Sequence, residues 1–396
     1  MKKVIVFRSD LLHRSETFIK EQVIALTKWA PVLVGYREVE NGLDLTGIDV
    51  RILPGLGTRK WKRLRLRLCQ LLGIAHAPTV RALRAVGANL VHVHFGTDAV
   101  NVWPSVRRLG LPMLVTLHGY DINIYRRWWE TGQGGLLMCT YPRRLLRMAK
   151  ASDVSFIAVS KAIARRAIQY GIPEEKITVT YIGIDTKRFK PGGLPLKKRR
   201  MRMLFVGRMV EKKAPLLMIH AYAEIRKAIP VAELVMIGDG PLLDNAKQLA
   251  DELAAPVQFL GSCNSDEVLS QLHETRVFCL PSVTAANGDA EGLPISIMEA
   301  LACGIPVVTS ARGAVGEVIT NGENGFTFPE GMLSELTRSI LEILTKDWLF
   351  SCKSIQAVQP SDDVLSISAT SKTLSNIYDV TALINGRFER DISSPK

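Results

Sequence analysis

The chain has 396 residues, of which 47% are hydrophobic and 22% charged. At roughly 150–200 residues per hydrophobic core, that length divides into two domains, and the composition excludes a disordered, collagen-like or disulfide-stapled chain. The net charge of +13 is uneven: residues 1–200 hold 35 Lys and Arg against 14 Asp and Glu (+21), leaving 16 against 24 (−8) for the rest. A half so basic suits an anionic partner, whether membrane surface, nucleic acid or phosphorylated substrate, or is simply a solubilising surface.

Residues 4–7 form an apolar run too short for a signal-peptide core, so they are expected to be a first buried strand. No run reaches the roughly 18 apolar residues of a membrane span. Next come Arg14, Ser15 and Glu16. Ser15 is a natural N-cap, Phe18, Ile19, Val23 and Leu26 make a helical stripe, and the three polar residues are placed to touch a substrate. From Arg59 to Leu72 the sequence puts six cations, Arg59, Lys60, Lys62, Arg63, Arg65 and Arg67, into nine positions. Drawn as a helix, Trp61, Leu64, Leu68, Leu71 and Leu72 share one stripe. The segment is therefore an interfacial helix for a membrane surface, or an ordinary surface helix with its stripe against a sheet.

Further apolar runs at 31–36, 90–95, 112–117, 156–159 and 177–181 alternate with amphipathic stretches. His92 and His94 alternate along one run and read as strand residues. His118 and Asp121 end another and should face a ligand, the alternative for His118 being a loop histidine bonded to local backbone. Pro, Gly and a charge run at 190–200 mark a linker. Strands at 203–206, 233–237, 257–260, 277–280 and 306–309 follow. Continuously apolar strands alternating with helices predict an α/β chain of two doubly wound Rossmann-like domains facing across a cleft. The boundaries fall at 1–195, 196–369 and 370–396, the last a tail with a helix at 370–383 and a frayed end from Gly386. The six cysteines are scattered without a Cys-x-x-Cys pair, as in a reduced protein without a metal site.

Chemistry is sought at strand ends. Arg208 and Lys213 bracket the turn that opens a helix. They are two cations able to hold a diphosphate, or surface charges that pair with Glu211 and matter little for folding. Gly238 and Gly240 follow a strand and let backbone come close to a ligand, which makes them donor-binding candidates. Between Asn287 and Val308, Pro294 is expected at the first helical position, with Glu291 just before that helix and Glu299 inside it. Free N–H groups at a helix start form an anion site, and carboxylates beside it suit sugar hydroxyls, unless they are a solvated loop and a dipole-pairing Glu.

Taken together, Gly207-Arg208 with Lys213, Gly238-Asp239-Gly240-Pro241, His118-Gly119-Tyr120-Asp121, Glu291 and Glu299 before Ala300-Leu301-Ala302-Cys303-Gly304-Ile305-Pro306, and Gly322-Glu323-Asn324-Gly325-Phe326 resemble the retaining nucleotide-sugar glycosyltransferases of the fourth family (group 1, GT-B fold). The Ser15–Ile19 start and Gly288–Pro294 resemble its exopolysaccharide and colanic acid branch. The resemblance implies transfer of a sugar from a nucleoside-diphosphate sugar to a growing cell-surface polysaccharide, with no cofactor and no metal. It implies Arg208 and Lys213 on the diphosphate, Glu299 on the ribose, and Glu291 with the amides from Gly292 through Leu293 and Pro294 to Ile295 on the donor sugar. His118 would lie near that sugar, with Ser15, Glu16 and Asp121 on the acceptor side. The acceptor would be a polyprenyl-linked saccharide, met by a peripheral protein on the cytoplasmic face of an anionic membrane. One departure is Ala214 where the family usually has Gly. The alternatives are another two-Rossmann enzyme such as an epimerase, a catalytically decayed membrane-surface scaffold, and a nucleic-acid binder. The last lacks interleaved aromatics and any known motif.

Overall fold

The computed structural model describes residues 1–55, 60–192, 194, 198–310, 312–346 and 365–392, with side chains to 383. The chain forms two units, Met1–Gly183 with Ile367–Lys396, and Ile184–Ser366.

The first unit is built on a seven-stranded sheet: β1 (Lys3–Phe7), β2 (Ala30–Gly35), β3 (Val50–Ile52), β4 (Leu90–His94), β5 (Met113–Leu117), β6 (Val154–Ala158) and β7 (Ile177–Val179). Their order is β3-β2-β1-β4-β5-β6-β7, every pair parallel. The second unit repeats the plan with β8 (Arg202–Val206), β9 (Glu233–Ile237), β10 (Val257–Gly261), β11 (Val277–Leu280), β12 (Val307–Ser310) and β13 (Gly325–Phe328), ordered β10-β9-β8-β11-β12-β13 and again parallel. In each, the first strand sits beside both the second and the fourth. That is the switch point where loops part and leave room for a ligand at the carboxyl ends. Central strands such as β4 and β5 are buried at every residue, which explains their unbroken apolar runs. The strands sequence reading misses, β3 and β13, are edge strands with exposed or half-buried residues.

Two boundaries differ from expectation. The chain enters the second unit after Gly183, ahead of 195, because residues with linker composition are tied down by their own polar groups. Arg188 pairs with Asp266 at 2.6 Å, His273 Nε2 lies 3.1 Å from Lys190 O, and buried Arg199 donates to Thr275 O. The tail is not a separate piece. The helix Ile367–Ile392 runs through Gly386 and belongs to the first unit, where Leu374 and Tyr378 lie fully buried in a core with Val4, Trp29, Leu33 and Leu90. Tyr378 OH lies 2.6 Å from His92 Nδ1, and its ring meets Trp29 edge-on at 5.4 Å.

Candidate active site

In the second unit, the loops after β8 and β11 are stitched together. Val283 N–H donates to Lys212 O at 2.8 Å, and Ala286 N–H to the Glu211 carboxylate at 3.0 Å. The stitching aligns two ion pairs: Lys212 with Asp289 at 3.0 Å and Lys213 with Glu291 at 2.9 Å. The second pair is nearly buried, its side chains 13% and 12% exposed. Burial raises the Glu291 carboxyl, but Lys213 and then Lys212 more than offset this and hold it below its ordinary value. Burial draws Lys213 down, while Lys212, facing two carboxylates, is held up in spite of its burial. Glu291 Oε1 is the oxygen that meets Lys213 Nζ, and it is buried with no other donor among the described residues. A buried carboxylate oxygen with spare acceptor capacity is costly alone and suits a ligand that brings hydroxyls. Arg208 is exposed and makes no ion pair with a described residue. Lys212 is the member sequence reading missed. In the sequence nothing local distinguishes it from its neighbour Lys213.

The local backbone explains the spacing. Ala214 adopts φ 47°, ψ 52°, the left-handed conformation glycine favours, so the turn survives the absent glycine at a cost of about 1–2 kcal/mol. Gly238, at φ 135°, could carry no side chain: a Cβ would lie 1.9 Å from Gly207 O. Gly240 likewise backs onto Met209 O, at 2.6 Å. These glycines let the β9 end approach the Arg208 turn, and Gly207 N–H donates to Ile237 O across the seam.

The helix Ile295–Ala302 begins one residue later than expected. Pro294 is its N-cap, extended at ψ 123°, and the first intrahelical bond runs from Ile297 N–H to Pro294 O. The amides of Gly292, Leu293 and Ile295 precede that bond, and Pro294 itself has no N–H. Ser296 Oγ donates to Val206 O at 3.0 Å, pinning the helix start beside the end of β8. Glu299 is half-buried one turn further on. A small pocket opens beside Glu291, lined also by Ser282, Ser310, Arg312, Gly313 and Glu330.

In the first unit, the loops after β1, β4 and β5 bring together Arg8, Phe95 and His118. His118 is partly buried, its ring 4.5 Å from that of Phe95 and 5.0 Å from that of Phe18. Burial, then His92 and Arg8, push it down to about 3, so it is a neutral ring. Two acceptor-side expectations change, those for Glu16 and Asp121, and so does the N-cap. Glu16 is buried and fully engaged: one oxygen takes Arg8 at 2.9 Å and the other takes His13 N–H at 3.0 Å. Ser15 is exposed and is not the cap. Glu16 takes that position without a side-chain capping bond. Asp121 is wholly buried, accepting from the amides of Gly96, Gly119 and His118, so it shapes the loop and does not face a ligand.

The basic segment forms the helix Lys60–Leu72, with Arg59 outside the described residues. Its buried residue is Leu66, which packs on Gly55. At about 100° per residue, Leu66 points roughly opposite the stripe. Trp61 (57% exposed), Leu64 (59%), Leu68 (48%), Leu71 (41%) and Leu72 (65%) therefore face solvent, and the stripe does not pack on the sheet. Beside the helix, in the turn Leu136–Met138, Leu136 is also exposed. A contiguous exposed apolar face marks an interaction surface. Among the described residues, no helix is long and apolar enough to cross a membrane.

Comparison with known proteins names the class. A family model described as glycosyl transferases group 1 matches residues 186–356, and one for glycosyltransferase family 4 matches residues 36–188. AmsK, the amylovoran biosynthesis glycosyltransferase of Erwinia amylovora, is 30% identical over 345 residues, covering 86% of this chain and 82% of AmsK. WcaL of Escherichia coli, provisionally assigned as a colanic acid biosynthesis glycosyltransferase, is 29% identical over 248 residues, 61% of this chain and 58% of WcaL. The crystal structure of Anabaena HepE with UDP and glucose shares the fold, with a TM-score of 0.77 at 18% identity over 96% of this chain and all of HepE. The chain belongs to the group 1, family 4 glycosyltransferases: it is a glycosyltransferase of the GT-B class.

Proposed function

We propose that the protein moves a sugar from a nucleoside-diphosphate sugar to a lipid-linked, growing cell-surface polysaccharide, with retention of anomeric configuration as in its family. The observation that carries the donor half is the group formed by Arg208, Lys212, Lys213, Asp289 and Glu291 at the switch point of the second unit. Cations there stabilise a departing diphosphate, which is already a good leaving group and needs no carboxylic acid to protonate it. That argues against a glycosidase-like acid and nucleophile pair. The same cations make a divalent metal unnecessary in this reading. Glu291 accepts from sugar hydroxyls, the amides of Gly292, Leu293 and Ile295 donate to them, and Glu299 takes the ribose diol. Glu299→Ala is expected to raise the donor KM roughly tenfold or more with less change in kcat, as loss of charge-assisted hydrogen bonds to the nucleotide does. Glu291→Ala is expected to lower kcat. The reverse split would exchange the two roles.

The resemblance to AmsK and WcaL supports exopolysaccharide assembly as the pathway. The outward stripe of the helix Lys60–Leu72 supports a lipid-linked acceptor, met at the cytoplasmic face of the membrane. Each of Lys60, Lys62, Arg63, Arg65 and Arg67 contributes about 1 kcal/mol near an anionic leaflet, decaying within a Debye length. The exposed Trp and Leu side chains add apolar burial. Co-sedimentation with anionic liposomes is expected to fall as salt rises and to weaken when Arg63, Arg65 and Arg67 become Ser. Binding indifferent to both would contradict the membrane role.

A further inference from the structure

His118 is backed by a second histidine. His94, on β4, is 1% exposed, and its Nδ1 lies 3.0 Å from His118 Nε2. The two rings stack at 5.3 Å and 24°. The other nitrogen of His94, Nε2, is buried with no hydrogen-bond partner. The neighbouring residue, Phe95, adopts φ 72° and ψ 131°, a conformation rare outside glycine, with the Arg8 guanidinium 4.7 Å from its ring centroid and His118 at 4.5 Å. Such backbone strain costs of order 1–3 kcal/mol and persists where surrounding structure enforces it, commonly at functional sites.

The hydrogen bond between the rings needs one proton, and the partner of His94 Nε2 decides whose it is. Were His118 the donor, His94 would carry its own proton on Nε2, an N–H buried without an acceptor. With His94 as the donor, its Nε2 is a buried lone pair, and an unpaired buried acceptor is the less rare of the two. Both rings are neutral: burial is the largest influence, and neighbouring His92 and Arg8 lower both further. His118 Nδ1 has no partner among the described residues.

We propose that His94 is a positioning residue that donates from Nδ1 to His118 Nε2 and so fixes His118 in the tautomer protonated at Nδ1. His118 then presents a neutral N–H to an oxygen of the substrate instead of acting as a proton-transferring base. The catalytic use of that N–H rests on the reading of His118 as a donor-facing residue; the tautomer does not.

The test is the long-range 1H–15N spectrum of the full chain carrying ring-15N histidine, with His118 assigned by the signals lost in His118→Gln. A protonated-type Nδ1 and an unprotonated Nε2 are expected. A protonated Nε2, or an imidazolium at neutral pH, would overturn the proposal. Two substitutions at position 94 add a second readout. His94→Asn keeps an N–H near the place of Nδ1 and is expected to preserve the tautomer and most activity. His94→Phe fills the space without a donor and is expected to mix the tautomers and lower kcat roughly tenfold, the scale of one lost hydrogen bond. Equal activity loss in both variants, with the His118 spectrum unchanged, would reduce His94 to packing. Normal turnover in His118→Gln would instead remove His118 from the site while leaving the tautomer assignment standing.

Discussion

Arg208→Ala is expected to lower sugar transfer by about 100-fold or more, the effect of removing a charge stabiliser from a transition state. Its thermal unfolding should hardly move, because the side chain is exposed and makes no ion pair with a described residue. Lys213→Ala should lower transfer as much and also destabilise the fold. Its ammonium lies 2.9 Å from a Glu291 carboxylate that is itself only 12% exposed. Removing one partner of a buried pair strands the other charge and costs about 3–5 kcal/mol. From sequence the two cations look alike and neither is expected to matter for folding. The structure separates them. Turnover and thermal denaturation, measured on both variants, decide the matter. Equal unfolding temperatures would contradict the buried pair, and near-normal turnover in both would contradict the diphosphate clamp.

The second large effect concerns the last helix. Leu374 and Tyr378 are both fully buried in the core of the first unit, alongside β1, β2 and β4. Leu374→Ala is expected to cost about 2–5 kcal/mol through lost burial and a cavity. Tyr378→Phe leaves His92 Nδ1 without its partner, a loss of about 1–3 kcal/mol for a buried polar group. Ending the chain at Ser366 should prevent the first unit from folding, because Trp29 and His92 would both lose their cover. Urea denaturation of the full-length variants, followed by tryptophan fluorescence, checks the order. A truncated chain with native-like cooperativity would show that the helix is an accessory.

The contrast between these residues shows where sequence reading reaches and where it stops. Nine central strands are legible because a strand covered on both faces must be apolar throughout, and the edge strands β7 and β10 are legible from short apolar runs. Edge strands such as β3, with Arg51 and Ile52 exposed, obey no such rule. The second-unit site is largely legible because its turn residues, Gly207, Gly238 and Pro294, shape backbone close to the functional groups they serve. The first-unit site is less so. Glu16 and Asp121 sit among functional-looking neighbours, yet their carboxylates are consumed by Arg8, His13 N–H and three backbone amides. The basic helix gives the reverse case. The sequence defines its stripe, and the placement of Leu66 against Gly55 decides that the stripe points outward.

The donor reading is tested most directly by incubating the purified protein with a panel of radiolabelled nucleoside-diphosphate sugars, without acceptor and in excess EDTA, and measuring nucleoside diphosphate release. One donor is expected to be hydrolysed slowly by the wild type, unaffected by the chelator, and not by Arg208→Ala or Glu291→Ala. Release that required an added divalent metal would contradict the metal-free diphosphate clamp, and a panel in which no sugar nucleotide is bound or cleaved would contradict the donor site itself.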